Sequence, residues 1–191
     1  MLTDALNLYT QMPILAIDYC PCCGNRTRLH VPEGDNRERA ICQACDTIHY
    51  QNPKIVAGVL PVWQDKVLLC KRAIEPRYGT WTLPAGFMEN GESVEQGAKR
   101  ETWEEAEADV MNLSIYTMLS IPRISQVYII FRADLTGPEA FGAGTESLET
   151  ALFAEHEIPW DDIAFPMIER SLRYYFKDRE HGKFGVYIED M

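Results

Sequence analysis

Three glutamates close together are the side chains of this sequence best suited to chemistry. Glu101, Glu104 and Glu105 are spaced so that an α-helix, at ~100° per residue, would place all three carboxylates within one arc of ~100°. Carboxylates four residues apart on a helix repel each other by about a few tenths of a kcal/mol, and a bound cation would reverse that cost. Oxygen-only ligands are typical of Mg²⁺ and Mn²⁺. The spacing therefore predicts a divalent-cation site, and a solvated acidic helix face is the alternative.

Four cysteines in two C-x-x-C pairs predict a second metal site. The pairs, separated by the eighteen residues 24–41, are Cys20 with Cys23 and Cys42 with Cys45. Four thiolates suit a tetrahedral Zn²⁺ ion, whose binding lets a module of about 30 residues fold without a core of its own. Either Cys22 or His49 could replace one ligand. Two disulfides are the alternative, which would require an oxidising compartment.

The elements that must position these residues follow from the pattern of apolar side chains. Helical spacing predicts a helix at 93–108, which would carry the glutamates, and another at 165–179, where Pro166 takes a tolerated first-turn position. Runs rich in Val, Ile, Tyr and Phe, bounded by Gly, Pro or Asp, predict strands. These strands are expected at 55–63, 66–72, 81–83, 113–121, 126–135 and 150–154.

The chain is expected to form one larger domain and one small module. Its 191 residues, 46% of them hydrophobic, suffice for one sizeable core and a minor accessory unit. The connector Tyr-Gln-Asn-Pro at 50–53 follows the last cysteine pair and leads into strand-like sequence. We therefore predict an N-terminal extension, a cysteine module and a larger α/β domain at 1–18, 19–51 and 52–191.

The acidic composition limits the classes of partner. A formal net charge of −11 works against binding to polyanions, which requires clustered Lys and Arg. The cysteine module has balanced charge and no evident aromatic stacking surface, so we expect it to be structural and nucleic acid to be an unfavourable partner. No Lys or Arg precedes Arg26, and no apolar run reaches the roughly 20 residues of a membrane span. A cytoplasmic protein without membrane contact is expected.

The stretch around the glutamates resembles the Nudix box, Gly-x5-Glu-x7-Arg-Glu-U-x-Glu-Glu-x-Gly-U, in which U is aliphatic. Thr102 replaces the first aliphatic residue and Glu107 stands where the late glycine belongs, and neither departure touches the carboxylates. The resemblance implies an α/β/α sandwich with a mixed sheet, preceded by a small zinc ribbon. The positions that match in register are Gly86, Glu92, Arg100, Glu101, Glu104 and Glu105.

The resemblance also implies roles for individual residues. The three helix glutamates would bind Mg²⁺ or Mn²⁺, and the carbonyl of Ala85 would complete the coordination. Glu92 and Arg100 would hold the loop that precedes the helix. In the family a further carboxylate, which acts as general base or extra metal ligand, often comes from a loop beyond the box. Glu146 is the candidate in this sequence, and Glu149 is its competitor.

The substrate is predicted from a wider resemblance to zinc-ribbon Nudix hydrolases, which extends over most of the chain. This group includes FAD and ADP-ribose pyrophosphatases. NADH pyrophosphatases, which also remove NAD caps from RNA, bear a Ser-Gln-Pro-Trp-Pro-Phe-Pro motif that this sequence lacks. We therefore expect cleavage of a nucleoside diphosphate linked to another moiety, with FAD or ADP-ribose favoured, to AMP and a phosphorylated product. The alternatives are NADH or NAD-cap hydrolysis, cleaning of nucleoside triphosphates, and a noncatalytic nucleotide-binding regulator. A homodimer is expected from the family alone.

Several aromatic and cationic residues could hold a nucleotide. Aromatic side chains could stack on the base and arginines could contact the phosphates, although aromatic residues of strands more often belong to the core. The aromatic candidates are Trp81, Phe87 and Tyr128, and the cationic ones are Arg72, Arg77 and Arg123.

Overall fold

The computed structural model describes residues 17–191, so nearly all of the predicted extension at 1–18 lies outside the described residues. The chain divides into two compact units at Pro53–Lys54, with Arg123–Ser125 grouped with the first unit. Within the described part of the chain, no helix is long and apolar enough to cross a membrane.

The first unit is a small three-stranded antiparallel sheet. Its strands lie in the order β1-β2-β3, and each cysteine pair follows or precedes a strand at a tight turn. Gly24 adopts a left-handed φ of 73° in the first of these turns, where its N–H donates to the carbonyl of Cys20. The strands are β1 (Thr27–His30), β2 (Arg39–Cys42) and β3 (Ile48–His49).

The second unit is built on a mixed eight-stranded sheet. Its main order is β10-β5-β4-β9-β8-β11, with β6 paired to β5 and β7 paired to β4. The pairs β4 with β9 and β8 with β11 are parallel, and the others are antiparallel. The strands are β4 (Lys54–Trp63), β5 (Lys66–Arg72), β6 (Trp81–Thr82), β7 (Ala85–Phe87), β8 (Val110–Ile121), β9 (Gln126–Leu135), β10 (Ser147–Phe153) and β11 (Tyr187–Asp190).

Two α-helices complete the second unit. Helix α1 (Val94–Ala106) begins at Ser93, whose hydroxyl accepts from the N–H of Gln96 while the Gln96 side chain accepts from the Ser93 N–H. This reciprocal capping box satisfies two N–H groups that the first turn would leave unpaired. Helix α2 (Pro166–His181) begins with a proline and ends at Gly182, which takes a left-handed φ of 63°.

The two helices cover opposite faces of the sheet. On one face, Ala98 of α1 lies in a buried cluster with Val59 and Phe131. On the other, the hydroxyls of Thr117 and of Ser171 in α2 are 2.9 Å apart, and Thr117 pairs with Ile130, the neighbour of Phe131. Successive residues of a strand point to opposite faces. The predicted α/β/α sandwich with a mixed sheet is confirmed.

The secondary structure departs from the prediction at a few positions. Helix α1 ends at Ala106 instead of 108 because Glu107 adopts a left-handed φ of 45°. Strand β10 begins at Ser147, so Glu149 lies in a strand and not in the loop predicted there. Strand β6 ends at Thr82. In the second unit, two short strands, β7 and β11, were not predicted.

Strand β11 was missed because a buried carboxylate of the preceding helix, shared with a tyrosine of β8, holds it. Asp178 accepts from the Tyr187 hydroxyl at 2.5 Å, from the Tyr116 hydroxyl at 3.1 Å and from the Gly185 N–H at 3.3 Å. The pairing of the four β11 residues with β8 therefore depends on side-chain contacts with α2 and β8. Local sequence patterns do not reveal such contacts.

We expect Gly58→Ala to destabilise the second unit by about 1–3 kcal/mol, the usual cost of overpacking. A Cβ at Gly58 would lie 2.3 Å from the Cβ of Ala85 and 2.7 Å from the Pro84 carbonyl oxygen. Gly137→Ala is the matched control, because its new Cβ would meet nothing closer than Ala140 at 3.8 Å. Urea unfolding measures both changes, and equal stabilities of the two variants would contradict this packing.

Candidate active site and zinc centre

The two cysteine pairs converge in the first unit. The Sγ atoms of Cys20, Cys23, Cys42 and Cys45 all lie within 4.8 Å of one another, and the separation between Cys23 and Cys42 is 3.4 Å. All of these cysteines are free thiols, so the disulfide alternative is not observed. Cys22 is exposed and lies outside the cluster. Four thiol donors in one cluster are the ligand set typical of structural Zn²⁺.

The surroundings of the thiols differ. Burial raises the pKa of Cys20 to about 12, whereas the hydrogen bond from the Asn25 side chain lowers the pKa of Cys23 to about 6. His49, the other predicted substitute, places Nε2 at 3.3 Å from the Cys20 Sγ. His49 is therefore positioned to hydrogen-bond a ligand of the cluster, an arrangement that commonly orients metal ligands.

Helix α1 brings the three box glutamates to one side of the second unit, but different donors hold them. Among residues 17–191, one group of potential metal ligands has all its ligand atoms within 4.8 Å of one another, and this group is the four thiols. The carboxylate oxygens of the three glutamates do not form such a group. Glu105 is buried and its Oε2 accepts from the Ala85 N–H at 3.1 Å. Burial raises the pKa of Glu105 to about 8 and also raises the pKa of Glu101.

Arg100 connects the helix to the loop before it. Its guanidinium donates to Glu101 at 2.8 Å and to Glu104 at 3.0 Å through Nη1. Through Nε and Nη2 it donates to Glu92 at 3.0 and 2.8 Å, and Nη2 also donates to the Phe87 carbonyl at 3.1 Å. Hydrogen bonds from Arg100 lower the pKa of Glu92 to about 2. One arginine thus joins the loop at the start of the box to the helix glutamates.

Glycines let the backbone approach the glutamates closely. A Cβ at Gly86 would lie 2.3 Å from a carboxylate oxygen of Glu101, so this carboxylate lies directly against the strand β7 backbone. A Cβ at Gly144 would lie 1.8 Å from the carbonyl oxygen of Glu104, and the Gly144 N–H donates to the Glu105 carbonyl at 3.2 Å. The loop before β10 therefore packs on the end of α1. Sequence reasoning missed this role of Gly144, for which the Gly-Ala-Gly at 142–144 is the available signal.

The two candidate base residues lie in different surroundings, Glu146 in this loop and Glu149 in strand β10. Burial is the main cause of the raised pKa values of Glu101 and Glu105, and the charge of Glu146 adds to both increases. The Glu146 carbonyl accepts from the Ala73 N–H at 2.8 Å, which fixes its backbone beside the end of β5. Glu149 instead lies 3.8 Å from the ammonium of Lys71.

The aromatic residues predicted to hold a base are in unequal positions. Trp81 is only 8% exposed and packs edge to face on Phe153 at 4.8 Å, in agreement with the core alternative. Phe87 is 49% exposed, with the Lys54 ammonium 5.0 Å from its ring centroid. Tyr128 is half-buried in β9. Of the three, Phe87 has the most surface to offer a ligand.

The predicted phosphate-binding arginines also differ. Arg72 is buried, and its Nε donates to the Pro76 carbonyl at 2.9 Å while its guanidinium lies 5.1 Å from the Phe165 ring centroid. Arg77 is half-buried and adopts a left-handed φ of 70° in the loop that Arg72 holds. Arg123 is exposed. Arg72 thus supports a loop beside the site, a role that its sequence position alone did not suggest.

The second unit is thus an α/β/α sandwich that carries an acidic helix against a glycine-containing strand. The NUDIX domain model matches residues 52–175, and the model for the N-terminal zinc ribbon of Nudix proteins matches residues 18–51. The chain belongs to the NUDIX hydrolase family. The predicted family and enzyme class are therefore confirmed.

Known relatives agree with this assignment. The crystal structure of a NUDIX hydrolase from Nitrosomonas europaea is 52% identical with a TM-score of 0.84, and the match covers 91% of this chain and 99% of that one. NAD-capped RNA hydrolases from Vibrio parahaemolyticus and Vibrio atlanticus are 28% and 32% identical over 168 and 120 residues. Those matches cover 85% and 62% of this chain, but only 62% and 42% of the relatives. The crystal structure of an ADP-ribose pyrophosphatase from Streptococcus suis shares the fold, with 21% identity and a TM-score of 0.55. That match covers 72% of this chain and 99% of the other chain.

We expect Cys42→Ser to lose most of the zinc that the purified wild-type chain carries, because the buried Cys42 thiol lies within the cluster. Cys22→Ser is the matched control, since Cys22 is exposed and outside the cluster. Elemental analysis of both proteins measures the metal. A Cys22→Ser variant that loses as much zinc as Cys42→Ser would show that the ligand set is wrong.

Proposed function

We propose that this chain hydrolyses the pyrophosphate bond of a nucleoside diphosphate linked to a second moiety, with FAD and ADP-ribose favoured. Water adds to one phosphorus and the P–O bond to the bridging oxygen breaks, which gives AMP and a phosphorylated product. The observation that carries the proposal is the α1 face, where Glu101 lies against the Gly86 backbone and Glu105 accepts from the Ala85 N–H. Glu104 shares the Arg100 guanidinium with Glu101 on the same face.

The residues of this face fit a hard divalent cation. The donors are carboxylate oxygens together with a backbone carbonyl at Ala85, and Gly86 leaves the space beside Glu101 that a Cβ would fill. The three glutamates and Ala85 would hold Mg²⁺ or Mn²⁺. When bound, the metal supplies positive charge that neutralises the diphosphate and lowers the pKa of a water.

The other box residues would orient this face. Arg100 binds Glu92 and the Phe87 carbonyl, and so holds the loop 87–92 against the helix. It also donates to Glu101 and Glu104, which limits the rotamers of both side chains. We assign Glu92 and Arg100 as positioning residues, because their contacts are with the loop and with the proposed metal ligands.

Glu146 is the stronger candidate for the residue that accepts the proton of the attacking water. Its electrostatic influence on Glu101 and Glu105 supports a position at the acidic face. Glu149 has a lysine partner on β5 and lies within strand β10. A general base must come within hydrogen-bond reach of the water it activates, directly or through one water.

Hydrolysis of NAD-derived pyrophosphates is the second candidate function. The Vibrio relatives are named NAD-capped RNA hydrolases, and this similarity favours NAD or an NAD cap as substrate. The absence of the Ser-Gln-Pro-Trp-Pro-Phe-Pro motif favours FAD or ADP-ribose instead. All these substrates contain the same P–O–P linkage. These relatives give no support to the expectation that nucleic acid is an unfavourable partner.

The wider organisation remains part of this proposal. We assign residues 19–51 to a zinc-binding module and 52–191 to the hydrolase domain, in line with the family matches at 18–51 and 52–175. Phe87 and Arg77 are retained as candidate substrate contacts, as are Tyr128 and, less favoured because of its burial, Trp81. A cytoplasmic location stays an expectation from the sequence, and a homodimer stays an expectation from the family.

We expect Glu104→Gln to lower turnover by about a hundredfold or more, because it removes a negative charge from the proposed metal face. The assay follows AMP release by chromatography from FAD, ADP-ribose, NADH, NAD-capped RNA and nucleoside triphosphates, with Mg²⁺ or Mn²⁺. Glu95→Gln is the matched control, because Glu95 lies in the first turn of α1 and pairs with Lys99. Silence of the wild type across the panel, with nucleotide binding retained, would favour the noncatalytic regulator.

The base assignment predicts a difference between variants of Glu146 and Glu149. Glu146→Gln should reduce kcat by about 10²-fold to 10⁴-fold, the usual contribution of general acid–base catalysis, with little change in KM. Glu149→Gln should leave kcat nearly unchanged, because its carboxylate is paired with Lys71. Steady-state kinetics on the best substrate decides between them, and the reverse pattern would transfer the role to Glu149.

A further inference from the structure

The three strands of the zinc ribbon place cationic and aromatic side chains on one face. In the register of β1 with β2, His30 lies opposite Arg39. Strand β3 pairs with the other edge of β2, and the Arg39 guanidinium lies 5.1 Å from the ring centroid of Tyr50, the residue after β3. Directly opposite residues of paired strands point to the same face. His30, Arg39 and Tyr50 therefore form one row across the sheet.

The same face extends along β1. Side chains alternate between faces along a strand, so Arg28 and Arg26 lie on the same side as His30. Arg26 pairs with Tyr19 across an isolated antiparallel bridge, and its guanidinium lies 5.5 Å from the Tyr19 ring centroid. Tyr19 and Tyr50 are 57% and 60% exposed. We call the residues Tyr19, Arg26, Arg28, His30, Arg39 and Tyr50 the ribbon face.

The ribbon face concentrates positive charge in an acidic chain. No salt bridge within residues 17–191 involves Arg26 or Arg28, whereas Arg39 is paired with Asp35 at 2.8 Å. Thr27 lies opposite Cys42, so these two side chains point to the same face. Because Thr27 alternates with Arg26 and Arg28 along the strand, Cys42 points away from the ribbon face. The face is therefore not used by the metal ligands, although the formal charge of the whole chain is −11.

We propose that the ribbon face binds a short segment of single-stranded RNA. Arginines at the spacing of Arg26 and Arg28 can contact successive phosphates, and exposed tyrosine rings offer surfaces on which unpaired bases stack. Charge complementarity favours a polyanion at this one face. The link to capped RNA as a substrate rests on the proposed function, but RNA binding itself does not. The sequence alone does not indicate this face, because its residues are dispersed over 19–50 and meet only through strand pairing.

The test is fluorescence anisotropy of a labelled, unstructured RNA of about ten nucleotides, a length within the range of known single-strand sites, with the full chain. We expect Tyr19→Ala with Tyr50→Ala to weaken binding at least about fivefold. The pair Tyr19→Phe and Tyr50→Phe should bind like the wild type, because the ring faces remain. Arg26→Ala with Arg28→Ala should make the slope of log K against log salt shallower by about 1.4, or about 0.7 for each phosphate that an arginine no longer neutralises.

The control removes the same charge elsewhere. Arg173→Ala with Lys177→Ala takes two cations from α2, and RNA binding should be retained. The proposal is overturned if the wild type does not bind this RNA, if the α2 pair loses as much affinity as the arginine pair of the ribbon face, or if the phenylalanine pair behaves like the alanine pair. Zinc content and circular dichroism of each variant verify that it is folded.

Hydrolysis of FAD or ADP-ribose separates this proposal from the proposed function. Variants of the ribbon face should retain the wild-type rate on these small substrates, because their changes lie outside the box. A wild type that binds RNA through the ribbon face but hydrolyses no substrate would contradict the proposed function and leave this inference standing.

Discussion

Repulsion among carboxylates is the constraint around which the second unit is organised. Glu101, Glu104 and Glu105 share one side of α1, where their charges would oppose the helix. Arg100 offsets part of this repulsion by donating to Glu101 and Glu104, and the same guanidinium binds Glu92. Glu105 is buried instead, and burial raises its pKa to about 8. A bound cation would stabilise the ionised form of this buried acid. The burial of Glu105 therefore lowers the stability of the fold but favours metal binding.

Close backbone contacts convert this electrostatic arrangement into a fixed geometry. Gly58 brings β4 against Ala85, Gly86 brings β7 against the Glu101 carboxylate, and Gly144 brings the loop before β10 against α1. Each contact leaves no room for a Cβ. The sheet, the helix and the loop of Glu146 are consequently held together at the acidic face, and the capping box at Ser93 sets where the helix begins.

The sequence predicted what depends on covalent spacing and left open what depends on long-range contacts. Helical periodicity was enough to place the box glutamates on one side of α1, and the C-x-x-C spacing was enough to predict the thiol cluster. The burial of Trp81 and the lysine partner of Glu149 depend on neighbouring strands. So does the ribbon face, whose residues alternate with others along β1 and are joined by cross-strand pairing. Strand β11 depends on Asp178, a buried acid in α2.

The most direct test of the account is the binding of Mn²⁺ to the zinc-loaded chain, followed by the electron paramagnetic resonance signal of the free ion. If the α1 face binds metal, the wild type takes up Mn²⁺, Glu105→Gln and Glu101→Gln bind it much more weakly, and Glu95→Gln binds it like the wild type. Equal uptake by the wild type and by the Glu101 and Glu105 variants would contradict the assignment of the α1 face as a metal site.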